Sequence, residues 1–203
     1  MDLDIPTLIE NTLYFLALIN PPSKILLLAS RQPKFTTKEI ISLSLRSNIT
    51  AWCILIVLTA IGNFLLVGIF RVQIYSLSVA GGIVLFIVGL KAVSKGKFFE
   101  ESEAHKLADL SIVPLAAPLI AGPGTMAAAI SYASIHGPVI TSVCLTLAIL
   151  VNTLCMLLSQ PIGNVLERSS ATGPLIRITG LIVAAVAMQM IFNGAGTWIR
   201  SIL

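Results

Sequence analysis

Charged residues are scarce in this chain of 203 residues. Asp, Glu, Lys and Arg together make up 11% of the sequence, whereas a soluble globular domain has about 25%. The hydrophobic fraction is 56%, and the mean hydropathy is +0.96. These values exclude an ordinary soluble domain, and they indicate an integral membrane protein.

Cysteine is also rare, and its placement argues against a disulfide framework. Cys53, Cys144 and Cys155 all lie within apolar runs, where a thiol behaves as a small hydrophobic side chain. Basic residues are also missing from the N-terminal stretch, where a signal peptide would have them. The N-terminal stretch "MDLDIPTLIEN" has acidic residues where a signal peptide needs basic ones, so no cleavage is expected.

Acidic residues are almost absent from the apolar runs, since only Glu10 of the nine falls within one. Catalysis by paired carboxylates or by a His–Glu motif has no residues to use there, so no enzyme is expected. His105 and His136 are predicted to be isolated loop residues without metal-site spacing. No cofactor is predicted. Proton pumps usually keep an ionisable group near the midplane, and apart from Lys24 the runs have none there. Coupling to Na⁺, an unusual path for H⁺ and uncoupled exchange or export all stay open.

What the sequence has instead is a series of apolar runs near the length that crosses about 30 Å of hydrocarbon. The runs are continuous and lack the alternation of a membrane β-barrel. The sequence therefore predicts an all-α integral membrane protein with six transmembrane helices. The predicted spans are roughly 5–30, 40–69, 74–93, 112–133, 138–160 and 174–198.

The distribution of basic residues predicts how the spans are oriented. Seven Lys and Arg residues lie in the first, third and fifth loops, whereas only Arg71 and Arg200 lie in the other loops and the termini. The positive-inside rule then puts both termini outside the cell membrane and makes residues 94–111 a cytoplasmic linker. The net charge of +4 reflects this topology, so no nucleic-acid partner is expected.

The two halves of the chain resemble each other weakly but in order. Pro21 corresponds to Pro123 and Ser23 to Thr125, 102 residues further along in both cases, and Gly82 corresponds to Gly180 after 98 residues. A repeat of three spans returns upside down because an odd number of crossings leaves the chain on the other side. The sequence predicts two inverted three-helix repeats, 1–93 and 112–203, in a single membrane domain.

The first and fourth predicted spans are interrupted by "NPPSK" and "GPGTM". In the first, Asn20 is expected to cap a second half-helix that starts at Pro21, while Ser23 offers a free amide and a hydroxyl. In the second, Gly122 is the expected cap and Pro123 the first helical residue. Free amides at such breaks favour a carboxylate, and the carbonyls that end the preceding half-helices favour an ammonium or a metal cation. A zwitterion would fit both ends.

The predicted substrate-binding residues are those of the two breaks together with one asparagine of the fifth span. They are Asn20, Pro21, Pro22, Ser23, Gly122, Pro123, Gly124, Thr125 and Asn152. Ordinary proline kinks are the alternative for the breaks, and hydrogen bonding between helices is the alternative for Asn48 and Asn152. Lys24 either extends toward the cytoplasm or faces the cavity as a positive group.

The string "DLSIVPLAAPLIAGPGTMAAAI", the early Asn-Pro break and the late "ITGLIVAAVAMQMIFNG" resemble the MarC family of integral membrane proteins over nearly the whole chain. The resemblance implies a six-helix protein of a prokaryotic inner membrane. Some members are described as transporters of small neutral amino acids. The chain departs from the family pattern at Pro22, where a large aliphatic residue is usual, and at Lys24, where a small or apolar residue is expected.

The sequence thus predicts a transporter of small solutes, foremost alanine, glycine and serine, that works by alternating access between two inverted units. A non-transporting structural or assembly subunit and an exporter of drugs or metabolites are the alternatives. The lipid bilayer and a small-molecule substrate are the expected partners, and self-association into a homo-oligomer is left open by the sequence.

Overall fold

The computed structural model describes residues 5–29, 35–96, 120–168 and 171–202. Every regular element within these ranges is helical, which confirms the predicted all-α class. In chain order they are α1 (Ile5–Ile19), α2 (Pro21–Ala29), α3 (Thr37–Asn63, continued by a π-helical segment Phe64–Ile69), α4 (Ile74–Lys95), α5 (Pro123–His136), α6 (Pro138–Leu157), α7 (Ser159–Arg168) and α8 (Thr172–Ile202).

Several of these helices are long and apolar enough to cross a membrane. The five stretches are Ile5–Ala29, Thr37–Ile69, Ile74–Lys95, Pro138–Leu157 and Thr172–Ile202. They agree with the first, second, third, fifth and sixth predicted spans, so the chain is a multi-pass membrane protein. Part of the fourth predicted span, residues 112–119, and most of the predicted linker lie outside the described residues.

Local signals in the sequence explain where the helices begin and end. Thr36 and Glu39 form a capping box at the start of α3, with the Thr36 amide donating to the Glu39 carboxylate at 2.7 Å. This bond moves the start of the helix ahead of the predicted residue 40. α4 ends at Gly96, which has a φ of 65°. Gly137, with a φ of 87°, makes the tight turn from α5 into α6.

The helix α7 differs from the prediction, which had a loop between the fifth and sixth spans. It begins at Ser159 and includes Pro161, and a proline in the first turn of a helix costs no hydrogen bond. Gln160 donates from its side-chain nitrogen to the carbonyl of Phe35. A Cβ at Gly163 would lie 2.2 Å from the Cβ of Ala29, so α7 packs closely on α2.

The most extensive helix pair is α4 and α8, which cross with their glycine faces together. A Cβ at Gly82 would lie 2.8 Å from the carbonyl oxygen of Ala187, and a Cβ at Gly89 would lie 2.8 Å from that of Gly180. Residue numbers rise along α4 as they fall along α8, so the two helices are antiparallel. Small residues at the crossing allow this backbone contact, as is usual between membrane helices.

The outer surface of the bundle is apolar, as lipid contact requires. Large hydrophobic side chains point outward on every helix long enough to span the bilayer; they include Leu13, Val57, Ile87, Leu150 and Leu181. The buried side chains form one cluster that draws residues from α1, α2, α3, α4, α5, α6 and α8. The described residues therefore form a helical bundle that lies in the lipid bilayer.

Candidate functional site

The first break lies at Asn20, between α1 and α2. Asn20 has a φ of 54°, in the left-handed region that asparagine tolerates better than most residues. Pro21 and Pro22 carry no N–H, so the carbonyls that would accept from them in a continuous helix lose their donors. The chain therefore leaves the helix after Ile19 and starts a new one at Pro21.

The hydrogen bonds at this break differ from the prediction. The amide and the hydroxyl of Ser23 both donate to the carbonyl oxygen of Asn20, at 3.1 Å and 2.8 Å. The side-chain amide of Asn20 makes no hydrogen bond within the described residues. The predictions that the Asn20 side chain caps α2 and that Ser23 has a free amide and hydroxyl are therefore wrong. Pro22 has no N–H at the second position of α2, and the Ser23 amide, the remaining donor for such a cap, bonds to the Asn20 carbonyl instead.

Lys24 lies on the same turn and is only 3% exposed. Its Nζ donates to the carbonyl oxygen of Ile19, the last residue of α1. An extended side chain that reaches the cytoplasmic interface does not fit this burial. The carbonyl end of α1, which the sequence analysis assigned to a cation of the substrate or to a metal ion, accepts a hydrogen bond from the Lys24 amino group of the protein itself.

The second break, at Gly122, follows the prediction more closely. Gly122 has extended backbone angles and is the N-cap of α5, and Pro123 occupies the first turn. The first helical hydrogen bond runs from the Met126 amide to the Gly122 carbonyl at 2.8 Å. The amides of Gly124 and Thr125 have no acceptor within the described residues, as expected for the first turn of a helix.

Thr125 adds a hydroxyl to these amides. Its side chain is 3% exposed, and the hydroxyl has no hydrogen-bond partner among the residues that the structure describes. Gly124 lies against α4, where a Cβ would come within 3.1 Å of the Cβ of Leu85. The second break is therefore a helix terminus with unpaired donors at the buried Gly124 and Thr125 beside an exposed Pro123, an arrangement that suits a small anionic group.

Both breaks border the same buried apolar cluster. Ile19 precedes the first break, and Ile120 and Ala121 precede the second; all three side chains are fully buried members of this cluster. The half-helices α1 and α5 also touch directly, because the rings of Phe15 and Tyr132 lie 5.3 Å apart. The structure thus places both breaks in the interior of one bundle.

Asn152 lies on α6, away from the two breaks in sequence, and bonds across to α3. Its Nδ2 donates to Oδ1 of Asn48 at 2.8 Å, while the Oδ1 of Asn152 itself is buried and has no partner in the described part of the chain. The predicted hydrogen bond between helices is therefore present. The helix α6 also packs against α2. Asn152 therefore lies on a helix that contacts the half-helix after the first break.

An aromatic cluster between α1 and α5 was not predicted. Tyr14 and Tyr132 are stacked with ring centroids 4.8 Å apart, and His136 lies 5.0 Å from Tyr132. His136 was expected in a loop but is the last residue of α5. The spacing of four residues between Tyr132 and His136 would have placed both on one helix face. His105 lies outside the described residues.

Comparison with known proteins gives one family. The sequence profile described as "MarC family integral membrane protein" matches residues 5–199. A UPF0056 membrane protein of Pyrococcus horikoshii is 32% identical over 93% of both chains. Similar proteins occur in Archaeoglobus fulgidus, at 32% identity over 87% of this chain and 86% of the relative, and in Aquifex aeolicus, at 26% over 92% and 91%. No solved structure matches the chain.

Proposed function

The chain belongs to the MarC family of integral membrane proteins, and we propose that it transports small solutes, foremost the small neutral amino acids alanine, glycine and serine. The observation that carries this proposal is the second break. There, two unpaired amides and the unpaired hydroxyl of Thr125, a residue that is 3% exposed, lie at a helix terminus within the membrane domain. Unpaired donors in such a place are costly unless a ligand binds them.

The narrowness of the second break supports a small substrate. Gly124 approaches Leu85 closely, and a Cβ at Gly81 would lie 2.4 Å from the Cβ of Ala127. The helices α4 and α5 therefore leave little room beside the free amides. A carboxylate with a methyl or hydroxymethyl side chain fits such a space better than a branched or aromatic amino acid does.

Alternating access requires two related units, and the contact between α4 and α8 supports an inverted repeat. Gly82 corresponds to Gly180 after 98 residues, and Gly89 corresponds to Ala187 by the same shift. The shift maps Gly82 onto Gly180 and Gly89 onto Ala187. The contact between Gly82 and Ala187 therefore has a symmetry-related contact between Gly180 and Gly89, and both contacts are present. Such an exchange is what a pseudo-two-fold axis between the repeats produces.

The asparagine pair joins the two predicted repeats. Asn48 lies on the second helix of the first repeat, and Asn152 lies on the second helix of the other repeat. The two side chains bond to each other at 2.8 Å. The bond therefore connects the two units that alternating access would move against each other.

Transport assays in proteoliposomes test the proposal. We expect uptake or exchange of labelled alanine and glycine above that of liposomes without protein. The assay is repeated with Na⁺, H⁺ and no ion gradient to identify coupling. Absence of uptake and of exchange for alanine, glycine and serine under all three conditions would refute the proposed function and favour a structural or assembly role.

A further inference from the structure

Lys24 places its amino group in the interior of the bundle, and the protonated form has little there to balance its charge. Its Nζ has three donors when protonated, and the carbonyl oxygen of Ile19 is its one acceptor within the described residues. No carboxylate of the described residues lies within ion-pair distance of Nζ. The carbonyl end of the α1 dipole compensates only part of a full charge.

A buried ammonium without a counter-charge is among the costliest groups a protein can hold. Replacement of buried charged groups by hydrophobic residues of similar volume is often neutral or stabilising. A bound anion would supply the missing charge and accept the remaining N–H groups. The side chain of Lys24 turns back toward the break at Asn20, where the unbonded Asn20 side-chain amide is a further donor.

The hydrogen bond from Lys24 to the Ile19 carbonyl also blocks a position where a cation could bind. In a continuous helix the Ile19 carbonyl would accept from the Ser23 amide, but that amide bonds to Asn20, and Nζ of Lys24 takes its place. The ammonium of an amino acid, or a Na⁺ ion, would have to displace Lys24 to bind there. The first break is therefore built for the negative end of a substrate.

We propose that Lys24, in its protonated form, recognises the carboxylate of the substrate. Ile19, whose carbonyl accepts from Nζ, belongs to the same buried cluster as Ile120 and Ala121 before the second break, so the site borders the interior that both breaks share. This inference rests on the proposed function and deepens it. The α-amino group is not required, and the site takes small monocarboxylates such as propionate and lactate as well as alanine.

The purified protein in detergent is tested with four probes, and the thermal midpoint is measured with and without each of them. Propionate, L-lactate and alanine should raise the midpoint of the wild type, and alaninamide, which lacks the carboxylate, should not. Lys24→Met keeps the length of the side chain but removes the charge. It should lower the affinity for propionate and alanine about tenfold or more, the scale of a lost hydrogen bond to a charged group.

Two further variants keep the test decisive. Lys24→Arg retains the charge and should keep a response to propionate, whereas Lys91→Met removes a lysine that is exposed on α4 and should behave as the wild type does. Without ligand, Lys24→Met should be at least as stable as the wild type because it removes a buried charge. A fall in its midpoint with ligand affinity intact would make Lys24 a cap of α1 only and overturn the proposal.

The outcomes separate this inference from the proposed function. Transport of alanine without any competition by propionate or lactate would overturn the inference and leave the proposed function standing. Propionate binding that depends on Lys24, in a protein that transports none of the probes, would support the inference and refute the proposed function. Absence of any response of the wild type to propionate, lactate and alanine would overturn the inference.

Discussion

At the scale of single residues, the second residue of each half-helix sets how many N–H donors its break offers. Both half-helices start with a proline, but Pro22 follows Pro21, whereas Gly124 follows Pro123. Since proline has no N–H, the first break loses an amide that the second keeps. A count of N–H groups in the sequence would have predicted this difference. The bond from Lys24 to Ile19 could not be predicted, because it depends on the left-handed turn at Asn20.

The hydroxyls at the two breaks should therefore differ in their effect on binding. Thr125→Val keeps the shape of the side chain and removes an unpaired hydroxyl, so we expect the affinity for alanine to fall about tenfold. Ser23→Ala removes a hydroxyl that is already bonded to the Asn20 carbonyl, and the affinity should change by about twofold or less. Titration calorimetry on both variants checks this. Equal losses in the two variants would contradict the assignment of the free donors to the second break.

At the scale of helices, the sequence predicted most bounds to within a few residues because apolar runs of membrane length are strong signals. The helix α7 was missed, since it is short and has no long apolar run. Its position depends on contacts with distant parts of the chain, such as the bond from Gln160 to Phe35 and the packing of Gly163 on Ala29. The contact between Gly82 and Ala187 could not be predicted either, because the sequence shows that they lie in different repeats but not that they touch.

Because the backbones of α4 and α8 are in contact, a single methyl group added at their interface should lower the stability of the protein. In Gly89→Ala, the new Cβ would lie 2.7 Å from the amide nitrogen of Ala184 and 2.8 Å from the carbonyl oxygen of Gly180. Backbone atoms cannot move aside as a side chain can, so we expect a loss of about 1–3 kcal/mol in the free energy of unfolding.

Gly173→Ala is the matched control for this substitution. It adds the same methyl group to the first turn of α8, where nothing lies within 4 Å, so the free energy of unfolding should change by about 0.5 kcal/mol or less. Unfolding in detergent, followed by circular dichroism, measures both variants. A Gly89→Ala protein as stable as the control would show that α4 and α8 do not pack as closely as described.

At the scale of the whole molecule, orientation is the feature on which the inverted repeat depends. The sequence predicts it from the count of basic residues in the loops, and the structure adds that Arg46, Lys91 and Arg177 have exposed side chains on the helix surfaces, where a long stem can lie along lipid while the head reaches the interface. The side of the membrane that each loop faces is therefore a direct test of the inverted repeat.

Single cysteines, introduced after replacement of Cys53, Cys144 and Cys155, test the orientation. A cysteine at Lys95, at the end of α4, should react with a thiol reagent only when the reagent enters the cytoplasm, because basic loops stay inside. A cysteine at Arg71, between α3 and α4, should react with an impermeant reagent added to intact cells. Since these positions flank one span, they must lie on opposite sides. The reverse pattern would contradict the predicted external termini. Labelling of both cysteines from the same side would show that α4 does not span the membrane.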